Sequence, residues 1–305
     1  MGVNEIRTDF IGRKVIIADN RGKRPQDFTK KETVTMVSTP ENCFFCPGNE
    51  HMTPPEIDRI EENGRWTVRS FPNKFNAVGK EFPNAYGVHE VIVETESHWT
   101  RFSELPVGKI ALTLEMYRRR IAALSEMDRI ANIQIFKNSG ISAGASLAHE
   151  HSQLIATEII PEIVERELKV ITHRDECPLC EMVRNEKENA VYEDADCIVI
   201  APQASRFPFE FWLIPKKHMK SLAGASNGQR GSLAKGLKDL LEKADLVLGK
   251  PDYNFWLHDG PVHAEDFHYH LEFAPRVSMW AGWEYASDIP INRMPPELAA
   301  KFFQS

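Results

Sequence analysis

The sequence predicts an α+β protein built twice, as two tandem half-domains, each an antiparallel sheet with helices packed on one side. Three observations carry this. A Cys-x-x-Cys motif occurs at Cys43-Phe44-Phe45-Cys46 and again at Cys177-Pro178-Leu179-Cys180, each followed by a lone histidine and then by a His-x-His pair. Between the lone histidine and the pair there is, both times, one helical pattern and one strand pattern. The length of that unit hardly changes: His98 to His149 is 51 residues and His218 to His268 is 50, whereas Cys46 to His98 is 52 and Cys180 to His218 is 38. Packed elements keep their length under duplication and loops do not, so an internal repeat explains the pattern. The boundary falls at 160/161, giving half-domains 1–160 and 161–305.

The elements follow in order. Residues 14–18 read as a strand and lead into Asn20-Arg21-Gly22-Lys23-Arg24-Pro25, a basic turn with donors for a phosphate, although a solvated loop has the same composition. After the first Cys-x-x-Cys turn, 66–69 and 88–93 alternate as strands, with Phe71-Pro72-Asn73 between them and Glu96-Ser97-His98 at the end of the second. Val107, Ile110, Leu114, Tyr117, Ile121 and Leu124 recur every three or four positions, which predicts a helix with one buried stripe. A strand at 132–136 then passes through Asn138-Ser139-Gly140 into Ser146-Leu147-Ala148-His149-Glu150-His151-Ser152-Gln153. The charged stretch 162–172 reads as a linking helix. The second half repeats the order: strands at 197–200 and 209–214, His218, a helix carrying Leu233, Leu237, Leu240, Leu241, Ala244 and Leu248, a strand at 253–258, and His268-Tyr269-His270-Leu271-Glu272.

Composition limits the function. A chain of 305 residues, 42% hydrophobic and 27% charged, has room for two ordinary globular domains. A net charge of -7 and a pI near 5.9 argue against a general nucleic-acid or anionic-membrane binder, while leaving space for a local phosphate pocket. Residues 1–9 lack the basic-then-apolar pattern of a signal peptide, and no apolar run approaches the roughly 18 residues a membrane span needs. A cytoplasmic protein without a membrane segment is therefore expected. In a reducing compartment the paired cysteines point to metal binding, and Cys197, inside an apolar run, to a buried small residue.

Zinc takes four ligands in a tetrahedron, readily from thiolate and imidazole. Each repeat offers such a set: Cys43, Cys46, His98 and His149 in the first half, Cys177, Cys180, His218 and His268 in the second. Sites filled by protein ligands alone are structural. A competing set in the second half, Glu167, His258, His268 and His270, suits iron or zinc and also claims His268. The cysteine set is preferred, because its turn preorganises two ligands.

With His149 given to a metal, His151 is the free imidazole. If 149–153 is a strand, His149, His151 and Gln153 share one face and Glu150 and Ser152 the other. A neutral imidazole attacks phosphorus without prior deprotonation and makes a phosphoramidate labile enough to break down again. Gln153, Ser146, Asn138 and the amides of turn 140–145 could donate to the phosphate oxygens.

Together these motifs resemble the galactose-1-phosphate uridylyltransferase family, the double-domain branch of the histidine-triad superfamily, over nearly the whole chain. The resemblance implies that His151 takes a nucleoside monophosphate from a nucleotide sugar while Gln153 and Ser146 hold the transferred phosphate. It also implies phosphate contacts from Arg21 and Arg24, nucleotide contacts from Asn73 and Asn138, and a homodimer in which Glu284 of Ala281-Gly282-Trp283-Glu284-Tyr285 contacts the hexose. Galactose-specific members typically carry proline and glycine where this chain has Glu150 and Ser152. That variant, with the second Cys-x-x-Cys, is similar to the ADP-glucose phosphorylase branch. Three readings follow: UMP transfer between a UDP-hexose and a hexose 1-phosphate; adenylyl transfer with phosphate as acceptor; and a non-catalytic, zinc-stabilised nucleotide-binding protein. Glu272 stands where the first half has Gln153, and no Asn-Ser-Gly turn precedes it, so His270 does not imply a second active site.

Overall fold

The computed structural model describes residues 4–18 and 39–304; the basic turn with Arg21 and Arg24 lies outside the described residues. A small sheet joins β1 (Glu5–Thr8) and β2 (Lys14–Ile17) to β13 (Ile291–Asn292) near the C-terminus. The first half of the main sheet contains β3 (Asp58–Glu62), β4 (Arg65–Pro72) and β5 (Gly87–Val93). Helix α1 (Val107–Ser125) follows, then β6 (Asn132–Ser139) and β7 (His151–Thr157). After α2 (Glu162–His173) and α3 (Pro178–Asn185) the order recurs: β8 (Ala190–Glu193), β9 (Cys197–Ile200), β10 (Phe211–Pro215), α4 (Asn227–Leu248), β11 (Tyr253–His258) and β12 (His270–Pro275). The two sets form one ten-stranded sheet, β3-β4-β5-β7-β6-β11-β12-β10-β9-β8, which has the same arrangement read from either edge. Its seam is the antiparallel β6–β11 pair, with Asn138 opposite Asn254 and Ile135 opposite Leu257.

Alternation along the strands sorts the core between two faces. On one face, Ile92, Ile133, Ile135 and Leu154 meet Ile110, Leu114, Tyr117 and Ile121 of α1, while Leu213, Phe255 and Leu271 meet Leu233, Leu237 and Leu240 of α4. Each such aliphatic side chain contributes about 1.5–3 kcal/mol by leaving water, so the stripe read from the sequence fixes how α1 seats. C-terminal helix α6 (Pro296–Gln304) adds Phe303 beside Phe211, ring centroids 4.6 Å apart. Helix α4 starts with a reciprocal cap, Ser226 Oγ accepting from the Gln229 amide and Gln229 Oε1 from the Ser226 amide, and ends at Gly249 in the left-handed region.

The opposite face differs between the halves. In the first, Val91 and Val93 are covered by Phe45, Trp66, Phe71 and the Cys43–Cys46 turn; in the second, Ile198, Ile200, Trp212 and Ile214 are covered by Leu179, Met182 and Val183 of α3. The second Cys-x-x-Cys is thus the start of a helix rather than a free turn, with Cys177 at its N-cap and Pro178 in its first turn. Strand β10 begins at Phe211 rather than 209, because Phe209 takes a positive φ of 58° and turns the chain. Among the described residues no helix is long and apolar enough to cross a membrane.

Candidate active site and metal centres

Strand β7 begins at His151, so His149 lies in the bend before it, not on the strand. Two contacts hold that bend: the Glu94 amide reaches the Glu150 carbonyl at 3.3 Å, and His149 Nε2–H donates to the Thr95 carbonyl at 2.8 Å. This sets the tautomer and turns Nδ1 toward the cysteines, 3.5 Å from each Sγ, while His98 Nδ1 is 3.3 Å from Cys46 Sγ. Cys43, Cys46, His98 and His149 are all buried, their ligand atoms within 4.8 Å of one another. Burial, with the neighbouring Cys43, pushes the Cys46 thiol up to about 12; thiolates at this place require a cation, and a dication supplies that charge.

The second half repeats this. His268 Nε2 faces the Pro215 carbonyl at 2.8 Å, and its Nδ1 lies 3.5 Å from the sulfurs of Cys177 and Cys180; His218 Nδ1 is 3.4 Å from Cys180 and its Nε2 2.7 Å from Asp266. With both nitrogens committed, His268 does not join the competing carboxylate set. That set closes instead as Glu167, His258, His270 and Glu272, fully enclosed. Glu167 is 2.8 Å from His258, Arg206 pairs with Glu272, and Glu167 Oε1, His270 Nε2 and Glu272 Oε1 have no hydrogen-bond partner among the described residues.

His151 is 7% exposed. Its Nδ1–H donates to the His149 carbonyl at 2.9 Å, which leaves Nε2 as the nitrogen with a lone pair for the adjoining cavity. Desolvation pulls its pKa down to about 4, outweighing the carbonyl that favours the charged ring, so the imidazole is neutral near pH 7. The cavity, about 300 Å³, is lined by His151, Gln153, Ser146, Asn73 and Lys74 against an apolar wall of Phe44, Phe45, Met52, Phe71, Val91 and Leu147. A neutral imidazole beside amides, a hydroxyl and one ammonium suits an anionic phosphate bearing a flat apolar group.

Behind His151 lies a buried ionic group. Lys137 Nζ contacts Glu94 and, at 2.5 Å, Glu150, and donates to the His151 carbonyl at 3.2 Å. Ser152 Oγ donates to Glu94 and meets the Tyr117 hydroxyl; Ser139 Oγ donates to Glu150. Glu150 and Ser152 therefore point away from the cavity, as strand alternation requires. Lys137, Glu94 and Tyr117 escaped the sequence reading because each sits in a pattern that also describes ordinary core, Tyr117 on the α1 stripe itself. A lysine alternating with Ile133 and Ile135 was the available signal.

Asn73 and Ser146 line the cavity. Asn138, expected to contact the nucleotide, is not among the residues lining it; Asn254 Nδ2 donates to Asn138 Oδ1 at 2.8 Å and to the Ala143 carbonyl at 2.9 Å, tying β11 to β6 and the turn that follows it. Asp252 accepts from the Ser142 amide at 2.7 Å, and Gly140 passes so close that a Cβ there would sit 2.2 Å from its carboxyl carbon. Glu284, at the start of α5 (Gly282–Ser287), is not brought to this cavity: its carboxylate caps its own helix through the Ala281 amide at 2.9 Å. A glutamate three residues after the N-cap of a helix commonly makes this contact.

Residues 3–161 match the family model for the galactose-1-phosphate uridyl transferase N-terminal domain and residues 132–277 that for its C-terminal domain. The chain belongs to the galactose-1-phosphate uridyl transferase family. It is 31% identical to ADP-glucose phosphorylase of Arabidopsis thaliana, over 97% of this chain and 91% of that one, and 30% identical to galactose-1-phosphate uridylyltransferase of Thermotoga maritima, over 94% and 93%. The crystal structure of an Arabidopsis thaliana ADP-glucose phosphorylase with bound ADP-glucose superimposes with a TM-score of 0.88, covering 100% of this chain and 99% of that one at 28% identity. The chain is accordingly an enzyme, a nucleotidyltransferase of a family acting on nucleotide sugars and sugar phosphates, and its fold is the α+β one of that family.

Proposed function

We propose that the enzyme works through a covalent nucleotidyl-His151 intermediate. The observation that carries this is the neutral His151, with Nδ1–H committed to the His149 carbonyl and Nε2 left for a cavity it shares with Gln153 and Ser146. Nε2 attacks the α-phosphorus of a nucleotide sugar; an N–P bond forms, the P–O bond to the sugar 1-phosphate breaks, and that group leaves with the electron pair. The positive charge left on the ring is shared with the His149 carbonyl through Nδ1–H, so no proton has to move. In the second half-reaction an acceptor oxygen attacks phosphorus and the N–P electrons return to Nε2. Gln153 and Ser146 hold the phosphate oxygens; Asn73 and Asn138 lie toward the nucleotide, and Arg21 and Arg24 serve as phosphate contacts.

The first reading of the reaction is UMP transfer between a UDP-hexose and a hexose 1-phosphate. The second is adenylyl transfer from an ADP-sugar to phosphate, which the likeness to ADP-glucose phosphorylase over nearly the whole chain favours. Zinc held by Cys43, Cys46, His98 and His149 would lock the bend that aims His151, and zinc held by Cys177, Cys180, His218 and His268 would lock the matching bend of the second half. The repeated element order supports two half-domains dividing at 160/161. A homodimer accounts for the exposure of Met279, Trp283 and Tyr285 around α5, at 89%, 50% and 76%, with Glu284 beside the hexose of the paired subunit. Unpaired cysteines support the cytoplasm as its location.

Intact-mass measurement after incubation with UDP-glucose or ADP-glucose tests the mechanism and identifies the base. A covalent UMP or AMP is expected on the wild type and none on His151→Ala. Turnover that persists in His151→Ala would overturn it.

A further inference from the structure

We propose that His89 is a positioning residue that fixes which end of the Gln153 amide faces the reacting phosphate; this rests on the nucleotidyl-His151 reading above. His89 lies on β5, and its ring meets Gln153 on neighbouring β7. The ring is set by backbone. The Ala77 N–H donates to His89 Nδ1 at 3.1 Å, so that nitrogen carries the lone pair and Nε2 carries the hydrogen. Nε2–H then donates to Gln153 Oε1 at 2.8 Å.

Asn73 is set in the same manner. Its Oδ1 accepts from the Phe75 N–H at 2.9 Å, which turns Nδ2 toward Gln153 Oε1 at 3.3 Å. The 3.1 Å approach of Asn73 Nδ2 to His89 Nε2 is that of two donors converging on one acceptor. Gln153 Oε1 thus accepts two hydrogen bonds, and no protein group among the described residues takes up Gln153 Nε2. The amide nitrogen is the end left for the cavity that Gln153 shares with His151.

An amide has nearly the same shape in both orientations, so packing alone does not choose between them. Turned over, it would place a partly negative oxygen against phosphate oxygens that gain charge as His151 attacks, and a donor would become a repulsion. His89 and Asn73 prevent this in advance, which is the preorganisation an anion-stabilising donor needs. His89 Nδ1 accepts from the Ala77 amide only while the ring is neutral. Burial lowers its pKa, keeping it so, with the Gln153 hydrogen bond acting the other way.

The test is the rate of covalent nucleotide loading, followed by intact mass after rapid mixing at saturating donor, with whichever of UDP-glucose or ADP-glucose loads the wild type. His89→Asn can keep an acceptor for the Ala77 amide but is too short to donate to Gln153; His89→Gln reaches it. The loading rate constant should fall roughly tenfold to a hundredfold in His89→Asn, with little change in half-saturating donor, and recover most of the way in His89→Gln. In a Gln153→Ala background, His89→Asn should have no further effect. Equal loading by His89→Asn and wild type, or the same fold-loss in the Gln153→Ala background, would overturn the assignment. His89→Phe takes the place of His89→Asn in the cycle if the latter loses its near-UV circular dichroism. Absence of loading in the wild type with both donors would instead count against the covalent reading itself.

Discussion

Replacing Lys137 by Met probes how His151, the proposed nucleophile, is held. Lys137 and Glu94 are fully buried and Glu150 nearly so, and the ammonium touches both carboxylates. Desolvation raises the Glu94 pKa, while Lys137 holds that of Glu150 below the usual value against desolvation. Glu150 is therefore the ionised partner, and Glu94 the one drawn toward its neutral form. Lys137→Met leaves a buried carboxylate with no counter-charge, which costs about 3–5 kcal/mol. At about 2–4 °C per kcal/mol for a large domain, Tm should fall by ~6–20 °C. Adding Glu150→Gln removes the orphan charge and should recover much of the loss; adding Glu94→Gln instead should recover less. Loading of His151 should be slower in Lys137→Met even well below its Tm, since the Lys137 bond to the His151 carbonyl is gone. Thermal melts of the five proteins (wild type, both single variants at 137 and 150, and the two doubles) decide the matter. Equal rescue by the two second substitutions would refute the assignment of charge, and a Tm change under about 2 °C for Lys137→Met would refute the network as a support.

Two further outcomes are expected. Elemental analysis should find two zinc ions per chain, falling to one in both Cys43→Ser and Cys177→Ser; Cys43→Ser should also slow loading of His151, whereas Cys177→Ser should chiefly lower Tm. A third equivalent that survives both substitutions would place metal in the Glu167, His258, His270 and Glu272 group. Glu115 on α1 is held down to about 2 by Arg118, with Arg119 and Arg230 adding to it against desolvation, and its 2.7 Å bridge to Arg230 fastens α1 to α4. Because the folded pKa lies below the ordinary 4.5, this stabilisation is complete above 4.5 and is lost as pH falls toward 2. The Tm difference between wild type and Glu115→Gln should thus be constant from pH 7 to 5 and close below pH 4.5, and added salt should shrink it; a difference unchanged down to pH 3 would contradict the sign.

What was legible in the sequence is what periodicity and spacing encode. The α1 stripe, the repeated order and the two Cys2His2 sets follow from local pattern and from counting. Their geometry needed the fold: nothing in the alternation of 149–153 says that the strand starts two residues late, because the tether that ends it is the carbonyl of Thr95 on a distant segment. The competing metal set failed for a similar reason. His268 and Glu272 are equally plausible ligands by type, and only the direction of the His268 ring, fixed by the Pro215 carbonyl, separates them. His89 was visible as a polar residue in an apolar strand, but its partner is on another strand and its tautomer is decided by a loop amide.

The two halves also differ in a way that fits the chemistry proposed for the first of them. His270 copies the local geometry of His151, its Nδ1 3.2 Å from the His268 carbonyl, and a metal set of the same kind precedes it. Its surroundings are opposite in sense. Where the first half presents the Gln153 amide, the second presents the Glu272 carboxylate, whose pKa Arg206 and His258 hold well below the ordinary value. An incoming phosphate would meet a fixed negative charge at that position, and one side of the His270 ring is covered by Trp212, 5.2 Å between centroids. Duplication thus supplied two aimed imidazoles. The residue two positions further along, amide in one half and carboxylate in the other, suits the first to an anion and ties the second into an ion pair with Arg206.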